Sequence, residues 1–385
     1  MSDAKKLNVT PFEIPSAEQD IADLKTRLAL TRWPDKETPT DWSQGIPLSY
    51  MQEIKEYWQD EYDWPRRVAL LNQWDGYMTE INGLDIHFLH VRSKHKEAKP
   101  LLLTHGWPGS IVEFQKVLGP LSDPTAHGGS ADDAFHIVCP TLPGFGYSGK
   151  PAATGWNIEK IAEAWDTLMV GIGYDSYFAQ GGDWGSIVTA MIGVQNKGHC
   201  QAIHMNMPIA PPDPQKMEDL TELEQGALAA MKFYQDHDSG YSKQQSTRPQ
   251  TLGYGLVDSP IGQASWIIEK FYQWTDCEGH PENVLSKDEL LDNVMMYWLP
   301  GTGASSARIY WESFGAGGTS IDKITLPTGC SIFPKEIFKT SKRWAESRFT
   351  NLIHFNVLEK GGHFAAAERP ETFVDEIQTC FRQVR

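Results

Sequence analysis

Long apolar runs, paired cysteines and positive charge are all scarce in this sequence, and each shortage excludes a class of protein. No apolar run among the 385 residues reaches the roughly 18 residues that are needed to span a bilayer. The 34 basic residues are outnumbered by 50 acidic ones, which gives a net charge of −16. Because such a chain cannot neutralise many phosphates, we expect neither nucleic acid nor a membrane as a partner.

The cysteines are odd in number, scattered and without a C-x-x-C pair, which argues against a disulfide framework and against a zinc site. They are Cys139, Cys200, Cys277, Cys330 and Cys380. Reduced thiols fit a cytosolic protein better. The first residues, Met1 to Lys6, lack the apolar core of a signal peptide. We therefore expect a cytoplasmic protein.

Four segments follow from the order of sequence patterns along the chain. Residues 1–75 are expected to form a helical meander, in which Ser16-Ala17-Glu18-Gln19 resembles a capping box and a second helix lies near Ser49 to Tyr57. Asn82-Gly83 then predicts a β-hairpin. Residues 76–208 and 315–385 are expected to form the two parts of an α/β core, and residues 209–314 a helical lid.

Short buried strands alternate with helices through the core segments, which predicts an α/β fold with a mostly parallel, doubly wound sheet. The predicted strands are Leu101–Leu103, Phe135–Val138, Tyr177–Ala179, Cys330–Phe333 and Ile353–Val357. The apolar positions between Ile158 and Met169 predict a helix. Because the strand pattern stops at Pro208 and returns near Cys330, the intervening helical segment is typical of a lid.

The run Gln180 to Ser186 has the form of a nucleophile elbow, with Asp183 in the place where serine usually stands. In such an elbow a strand turns sharply into a helix, so glycines must flank the central residue. The helix N-terminus favours an anion there. An aspartate in this position attacks carbon by displacement and forms an alkyl ester, which water must later hydrolyse.

Two later loops provide the partners that such a nucleophile needs, in the chain order of an α/β-hydrolase triad. His363 lies in Gly361-Gly362-His363 before a closing helix, and Glu336 follows the strand that ends at Phe333. His363 would take a proton from water, and Glu336 would orient its ring. Asp213 is the alternative to Glu336.

A fourth loop, His105 to Ser110, follows an early strand from which this fold draws an oxyanion-hole amide. The backbone N–H groups of Trp107 and Trp184 are therefore the predicted oxyanion hole. Tyr241 and Tyr310 in the lid segment could protonate an alkoxide as a strained C–O bond opens, although lid tyrosines also serve in packing.

Taken together, these residues resemble the α/β-hydrolase-fold epoxide hydrolases that carry an N-terminal meander, the subgroup with the microsomal, juvenile-hormone and fungal enzymes. The marker runs are Trp33-Pro34-Asp35, Leu103 to Ser110, Leu142 to Ser148, Gln180 to Ser186, Ser246 to Leu252, Trp266 to Phe271, Phe333 to Glu336 and Gly361 to Ala366. The resemblance implies an epoxide hydrolase that forms vicinal diols from small apolar epoxides and water, without metal or cofactor. It also suggests a homodimer.

Carried over residue by residue, the resemblance makes Asp183 the nucleophile, His363 the base and Glu336 its acid partner, with Tyr241 and Tyr310 as the ring-opening pair. A haloalkane dehalogenase is the alternative, since it also uses an elbow aspartate. The two tyrosines argue against it, because a dehalogenase holds the leaving halide with indole or amide N–H donors. The His-Gly-Trp-Pro loop also argues against it, because dehalogenases resemble His-Gly-x-Pro with a polar x. A non-catalytic protein of the same fold is a third interpretation, which the triad order disfavours.

Overall fold

The structure, a computed structural model, describes residues 6–212, 217–314 and 321–385. Within these ranges nine strands form one sheet in the order β1-β2-β3-β5-β4-β6-β7-β8-β9. The strands are β1 Val9–Pro11, β2 Gly76–Ile81, β3 Leu84–Val91, β4 Lys99–Thr104, β5 Phe135–Pro140, β6 Tyr177–Gly181, β7 Cys200–Met205, β8 Thr328–Ile332 and β9 Leu352–Val357. The pairs β1–β2, β2–β3 and β3–β5 are antiparallel and the others are parallel. The predicted α/β class with a mostly parallel sheet is confirmed.

Helices lie between β1 and β2, cover the sheet and fill the insertion between β7 and β8. The first three are α1 Glu18–Ala29, α2 Leu48–Asp60 and α3 Trp64–Leu71. Those of the core are α4 Gln115–Ser122, α5 Ile158–Gly171, α6 Asp183–Gln195, α13 Lys342–Arg348, α14 Ala365–Glu368 and α15 Pro370–Phe381. The insertion contains α7 Glu222–Phe233, α8 Gly240–Thr247, α9 Pro249–Asp258, α10 Pro260–Trp274, α11 Lys287–Trp298 and α12 Gly303–Phe314, and no strand in its described residues.

The predicted hairpin is the turn between β2 and β3. Asn82 and Gly83 both have positive φ, 53° and 77°, as a two-residue primed turn requires. The turn sets a register that pairs Ile81 with Leu84 and continues to Gly76 with Leu89. The hairpin therefore lies on the antiparallel side of the sheet, next to the edge strand β1.

Helices cover both faces of the parallel strands, as adjacent residues of β7 demonstrate. Ile203 lies against Gly193 of α6, where an added Cβ would come 3.1 Å from its side chain. His204 instead faces α15, with its ring 6.4 Å from that of Phe381. Because neighbouring strand residues point to opposite faces, α6 and α15 lie on opposite sides of the sheet. This is the doubly wound arrangement that the sequence predicts, although β7 itself was not among the strands expected.

One local prediction in the meander is wrong. The helix α1 begins at Glu18 with Ala17 as its N-cap, and Ala17 adopts a left-handed conformation (φ 55°) without a side-chain cap hydrogen bond. Ser16 lies one residue too early for its hydroxyl to complete the expected capping box. The second predicted helix is confirmed as α2, which buries Met51, Ile54 and Trp58 on one side.

The meander is fixed to the lid by a buried ion pair. Arg67 of α3 donates from Nε and Nη2 to Asp292 of α11, the latter bond being 2.5 Å long. Tyr62 donates to the same carboxylate at 2.8 Å. Asp292 is 1% exposed, so this charge has left water almost completely. This contact joins the segment before β2 to a helix of the insertion between β7 and β8.

No helix in the described part of the chain is long and apolar enough to cross a membrane. All five cysteines lie in described ranges, and each is buried and free of disulfide bonds. The prediction of unpaired thiols is thus confirmed. Asp213, the alternative to Glu336, lies outside the described residues.

Replacing Arg67 by methionine should lower the free energy of unfolding by about 3 kcal/mol, because it leaves a buried carboxylate without its cation. Burial already raises the pKa of Asp292, and Arg67 opposes this shift. Urea unfolding followed by circular dichroism measures the change. Arg66→Met, on the exposed side of the same helix, is the matched control. Equal stability of the two variants would contradict the prediction.

Candidate active site

The turn between β6 and α6 places Asp183 at the first position of a helix. The strand ends at Gly181, Gly182 is the N-cap and α6 begins with Asp183 itself. Asp183 has φ 51°, a left-handed backbone conformation that residues other than glycine rarely adopt. Residues held in such a conformation concentrate at functional sites, where the surrounding structure imposes the strain.

Two glycines make this turn possible. A Cβ on Gly185 would lie 1.9 Å from the carbonyl oxygen of Thr104, and one on Gly181 would lie 2.1 Å from that of Gly185. Both contacts are with backbone atoms that cannot move aside. The requirement for small residues around Asp183 therefore has a steric cause, as the elbow motif predicts.

The two carboxylate oxygens of Asp183 have different partners. The backbone N–H of Trp107 donates to Oδ1 at 2.8 Å, whereas Oδ2 lies 3.2 Å from Nε2 of His363. The Asp183 side chain retains 14% exposure, more than the side chains of its partners. One oxygen is thus held by an amide and the other is directed toward an imidazole and the site interior.

His363 connects Asp183 to Glu336. Its Nδ1 lies 2.6 Å from Oε1 of Glu336, and both side chains are almost fully buried. Glu336 Oε1 also accepts from the backbone N–H of Ile337. The backbone N–H of His363 donates to the carbonyl of Trp274 in α10, which ties the histidine loop to the lid. The structure thus brings together the three residues of the predicted triad.

Burial by itself disfavours a charged imidazole, but the two neighbouring carboxylates outweigh it. The charges and hydrogen bonds of Glu336 and Asp183 raise the pKa of His363 well above 6.5. The two carboxylates therefore favour the protonated form of the His363 imidazole. Losing the charge on Asp183 would remove part of this stabilisation.

The backbone amide of Trp184 lies in the first turn of α6. The first hydrogen bond within that helix runs from Ser186 N–H to Gly182 C=O, so the Trp184 amide has no intrahelical acceptor. The amide of Trp107, by contrast, already binds Asp183 Oδ1. Both predicted oxyanion-hole donors therefore belong to segments that adjoin Asp183.

The two lid tyrosines meet over the tryptophan of the first loop. The Tyr241 and Tyr310 rings are 5.8 Å apart, and Tyr241 stacks on Trp107 with 5.0 Å between ring centres. Tyr310 packs edge-on against Trp184 at 4.8 Å. Burial, reinforced by nearby phenols and the Asp183 charge, raises both tyrosine pKa values well above 10. Both phenols remain protonated at neutral pH and can donate.

Local features of the lid fix the position of Tyr241. A π-helical turn, Tyr234–Asp238, comes just before it, and such turns occur frequently at functional sites. The Tyr234 hydroxyl donates to that of Tyr241 at 3.2 Å. Below the ring, Nζ of Lys270 lies 4.8 Å from its centre and forms a buried ion pair with Asp238. None of these supporting residues was anticipated from the sequence.

His105 is a structural residue of the first loop. Its Nε2 accepts from the backbone N–H of Leu142, and its Nδ1 lies 2.9 Å from the carbonyl of Gly106, so Nδ1 carries the proton. Burial lowers the pKa of His105 to about 4, against the opposing effect of that carbonyl and of Asp183. A neutral histidine of fixed tautomer therefore positions the loop that holds Trp107.

Glu113 is a site residue that sequence reasoning missed. It lies in the 3-10 helix Ile111–Phe114 and lines the same small cavity as Asp183 and His363. Its spacing from Ser110 has the form of a capping box, which would have predicted an outward helix cap. In the structure Ser110 caps Val112 instead, and Glu113 faces the site.

A second polar cluster lies on the face of the sheet that α15 covers. His204, His354 and Glu376 each have one atom that could bind a metal ion, and these three atoms lie within 4.8 Å of one another. The Glu376 carboxylate already accepts from Ser331, His354 and Asn356. We interpret this cluster as a hydrogen-bond network that joins β7, β8 and β9 to α15.

Comparison with known proteins gives a consistent family. Residues 9–114 match the family described as epoxide hydrolase N terminus, and residues 99–244 match the alpha/beta hydrolase fold. The chain is 34% identical to epoxide hydrolase 1 of Sus scrofa, over 97% of this chain and 89% of that protein. The chain belongs to the epoxide hydrolase family. A Stigmatella aurantiaca protein whose name also assigns it to this family is 52% identical, over 98% of this chain and 86% of that protein.

The solved structure of the Aspergillus niger epoxide hydrolase matches with a TM-score of 0.89 and 32% identity, over 99% of this chain and 98% of that chain. The expected family, fold and enzyme class are thus confirmed, and the protein is a hydrolase of the α/β-hydrolase fold. The comparisons do not favour the haloalkane dehalogenase that the sequence had left as an alternative.

Substituting Gly106 by alanine should reduce epoxide turnover by about 100-fold, because small misplacements of reacting groups have effects of that size. The added Cβ would lie 2.1 Å from Oδ1 of Asp183 and would displace the carboxylate. Initial rates of diol formation measure the loss. Gly226→Ala, where an added Cβ meets nothing within 4 Å, is the control. A Gly106→Ala enzyme as fast as this control would refute the steric argument.

Proposed function

We propose that this epoxide hydrolase works through a covalent ester on Asp183, with His363 as the base for its hydrolysis. The observation that carries the proposal is that the two Asp183 oxygens have different partners. Oδ1 is bound by the Trp107 amide, while Oδ2 lies near His363 with Glu336 behind it. A carboxylate that is held by an amide at one oxygen can attack an electrophilic carbon with the other oxygen.

In the first step Oδ2 of Asp183 attacks an epoxide carbon, and the C–O bond of the strained ring breaks. The alkoxide takes a proton from Tyr241 or Tyr310, whose phenols are protonated at neutral pH. This step is supported by the packing of both rings against Trp107 and Trp184, whose backbone amides adjoin Asp183. General acid assistance of this kind makes the oxygen a better leaving group.

In the second step a water oxygen attacks Cγ of the ester and gives one proton to His363 Nε2. The negative charge then develops on Oδ1, where the amides of Trp107 and Trp184 stabilise it. Breaking the Cγ–Oδ2 bond releases the diol, which takes the proton back from His363. The other water proton leaves the regenerated carboxyl and restores the tyrosine, so the net reaction adds one water.

An apolar epoxide is the proposed substrate. A cavity of about 320 Å³ next to the site is lined largely by apolar side chains, among them Ile187, Met207, Met231 and Phe314. Ile187 follows Asp183 by one helical turn, and the Phe314 ring lies 5.2 Å from that of Trp184. This volume suits an apolar substituent of a small-molecule epoxide. The homodimer and the cytoplasmic location remain predictions from the sequence.

Replacing His363 by glutamine should allow the ester to form and stop its hydrolysis, because the amide cannot accept the proton of water. After incubation with styrene oxide, intact-protein and peptide mass spectrometry should detect one substrate mass on Asp183. His237→Gln, at an exposed lid position, is the control and should turn over without an adduct. Absence of the adduct would remove His363 from its assigned step, and halide release from a chloroalkane would revive the dehalogenase.

Tyr241→Phe and Tyr310→Phe should each slow ester formation by about 100-fold, which is the typical loss of rate when one hydrogen-bond donor to the transition state is removed. The double variant should be slower still, since no phenol remains to protonate the alkoxide. Single-turnover measurements with styrene oxide test this expectation. Tyr254→Phe, at a 69% exposed lid tyrosine, is the control. Unchanged ester formation in the double variant would show that these residues serve only in packing.

A further inference from the structure

A cavity large enough for one molecule of water adjoins the nucleophile. Its volume of about 10 Å³ is close to the minimum that holds a single water. Asp183, His363 and Glu113 line it, together with apolar side chains such as Phe114 and Phe364. A water there needs polar partners, and these three residues are titratable groups that can act as such.

The backbone around Glu113 is rigidly held. Asn293 of α11 donates to the Pro108 carbonyl at 2.7 Å, and the Tyr297 hydroxyl donates to that of Gly109 at 2.6 Å. Asn293 also accepts from the hydroxyl of Ser110. Three contacts from one lid helix thus fix the segment that leads into Glu113.

The Glu113 carboxyl itself lies across Gly109. A Cβ on that glycine would come 2.3 Å from Oε2 of Glu113, so the missing side chain leaves the room that the carboxyl occupies. Glu113 is only partly buried, and it lines the cavity. The side chain is therefore directed at the cavity and not into packed protein.

The carboxyl of Glu113 lacks a protein partner in the part of the chain that the structure describes. Burial raises its pKa to about 8, His363 opposes this shift and Asp183 adds to it. Glu113 is thus mainly protonated at neutral pH and offers a carbonyl oxygen as an acceptor. Because an enclosed polar group without a partner is costly, a water in the cavity is the natural partner.

We propose that Glu113 binds the hydrolytic water in this cavity and orients it toward Cγ of the Asp183 ester. The water would donate one hydrogen to His363 Nε2 and the other to a Glu113 oxygen, which leaves a lone pair for attack on Cγ. His363 takes the proton, and Glu113 gains and loses none. Glu113 contributes nothing to ester formation in this scheme. The inference rests on the proposed ester mechanism.

The test separates the two chemical steps in Glu113→Ala and Glu113→Gln, using styrene oxide in single-turnover and steady-state experiments. Glu113→Ala should form the ester at the normal rate and hydrolyse it at least about tenfold more slowly, so that the ester accumulates. Glu113→Gln resembles the protonated acid and retains a carbonyl acceptor, so it should hydrolyse the ester nearly as fast as the unaltered enzyme. Glu97→Ala, at an exposed position, is the control.

Three outcomes would overturn the proposal: unchanged hydrolysis in Glu113→Ala, equal slowing of both steps in that variant, or no rescue by Glu113→Gln. Equal slowing would indicate a merely structural role, and circular dichroism of both variants checks the fold independently. If the unaltered enzyme never carries an ester in rapid-quench mass spectrometry, the proposed function itself fails. That result is distinguishable from an ester that forms and is hydrolysed without any help from Glu113.

Discussion

The close approach of three backbone segments around Asp183 is the constraint on which the rest of the site depends. Gly185 lies against the carbonyl of Thr104, and Gly181 lies against that of Gly185. Neither position tolerates a Cβ. Therefore β4, β6 and α6 can approach this closely only with glycine at both positions. The resulting turn forces Asp183 to a positive φ and directs its carboxylate out of the sheet toward the Trp107 amide. Every other functional group is arranged around that fixed point.

The lid does more than cover the site, because its helices hold the loops that carry the chemistry. The histidine loop is bonded to Trp274 of α10, and the tryptophan loop is bonded to Asn293 and Tyr297 of α11. The meander in turn holds α11 through the Arg67–Asp292 pair. Motion of the lid as a rigid body would therefore disturb these loops.

Much of this architecture could be predicted because it rests on local rules. Asn82-Gly83 determines its hairpin by positive φ, and the glycine spacing around Asp183 determines the elbow. The capping box at Ser16 failed, since the same four residues fit a helix that begins one residue later. Glu113 was missed for a related reason: the cavity that it lines is completed by Asp183 and His363, which are distant in sequence and which no local pattern connects to it.

In the proposed mechanism, the charge on Asp183 links ester formation to ester hydrolysis through His363. While the carboxylate is free, it and Glu336 hold the pKa of His363 well above its usual value, which favours the protonated imidazole. Ester formation neutralises Asp183 and removes one of these two anions. The pKa of His363 then falls, because less charge remains to stabilise the imidazolium and burial still opposes it. Ester formation thus increases the fraction of neutral imidazole, and the base becomes available at the stage that needs it.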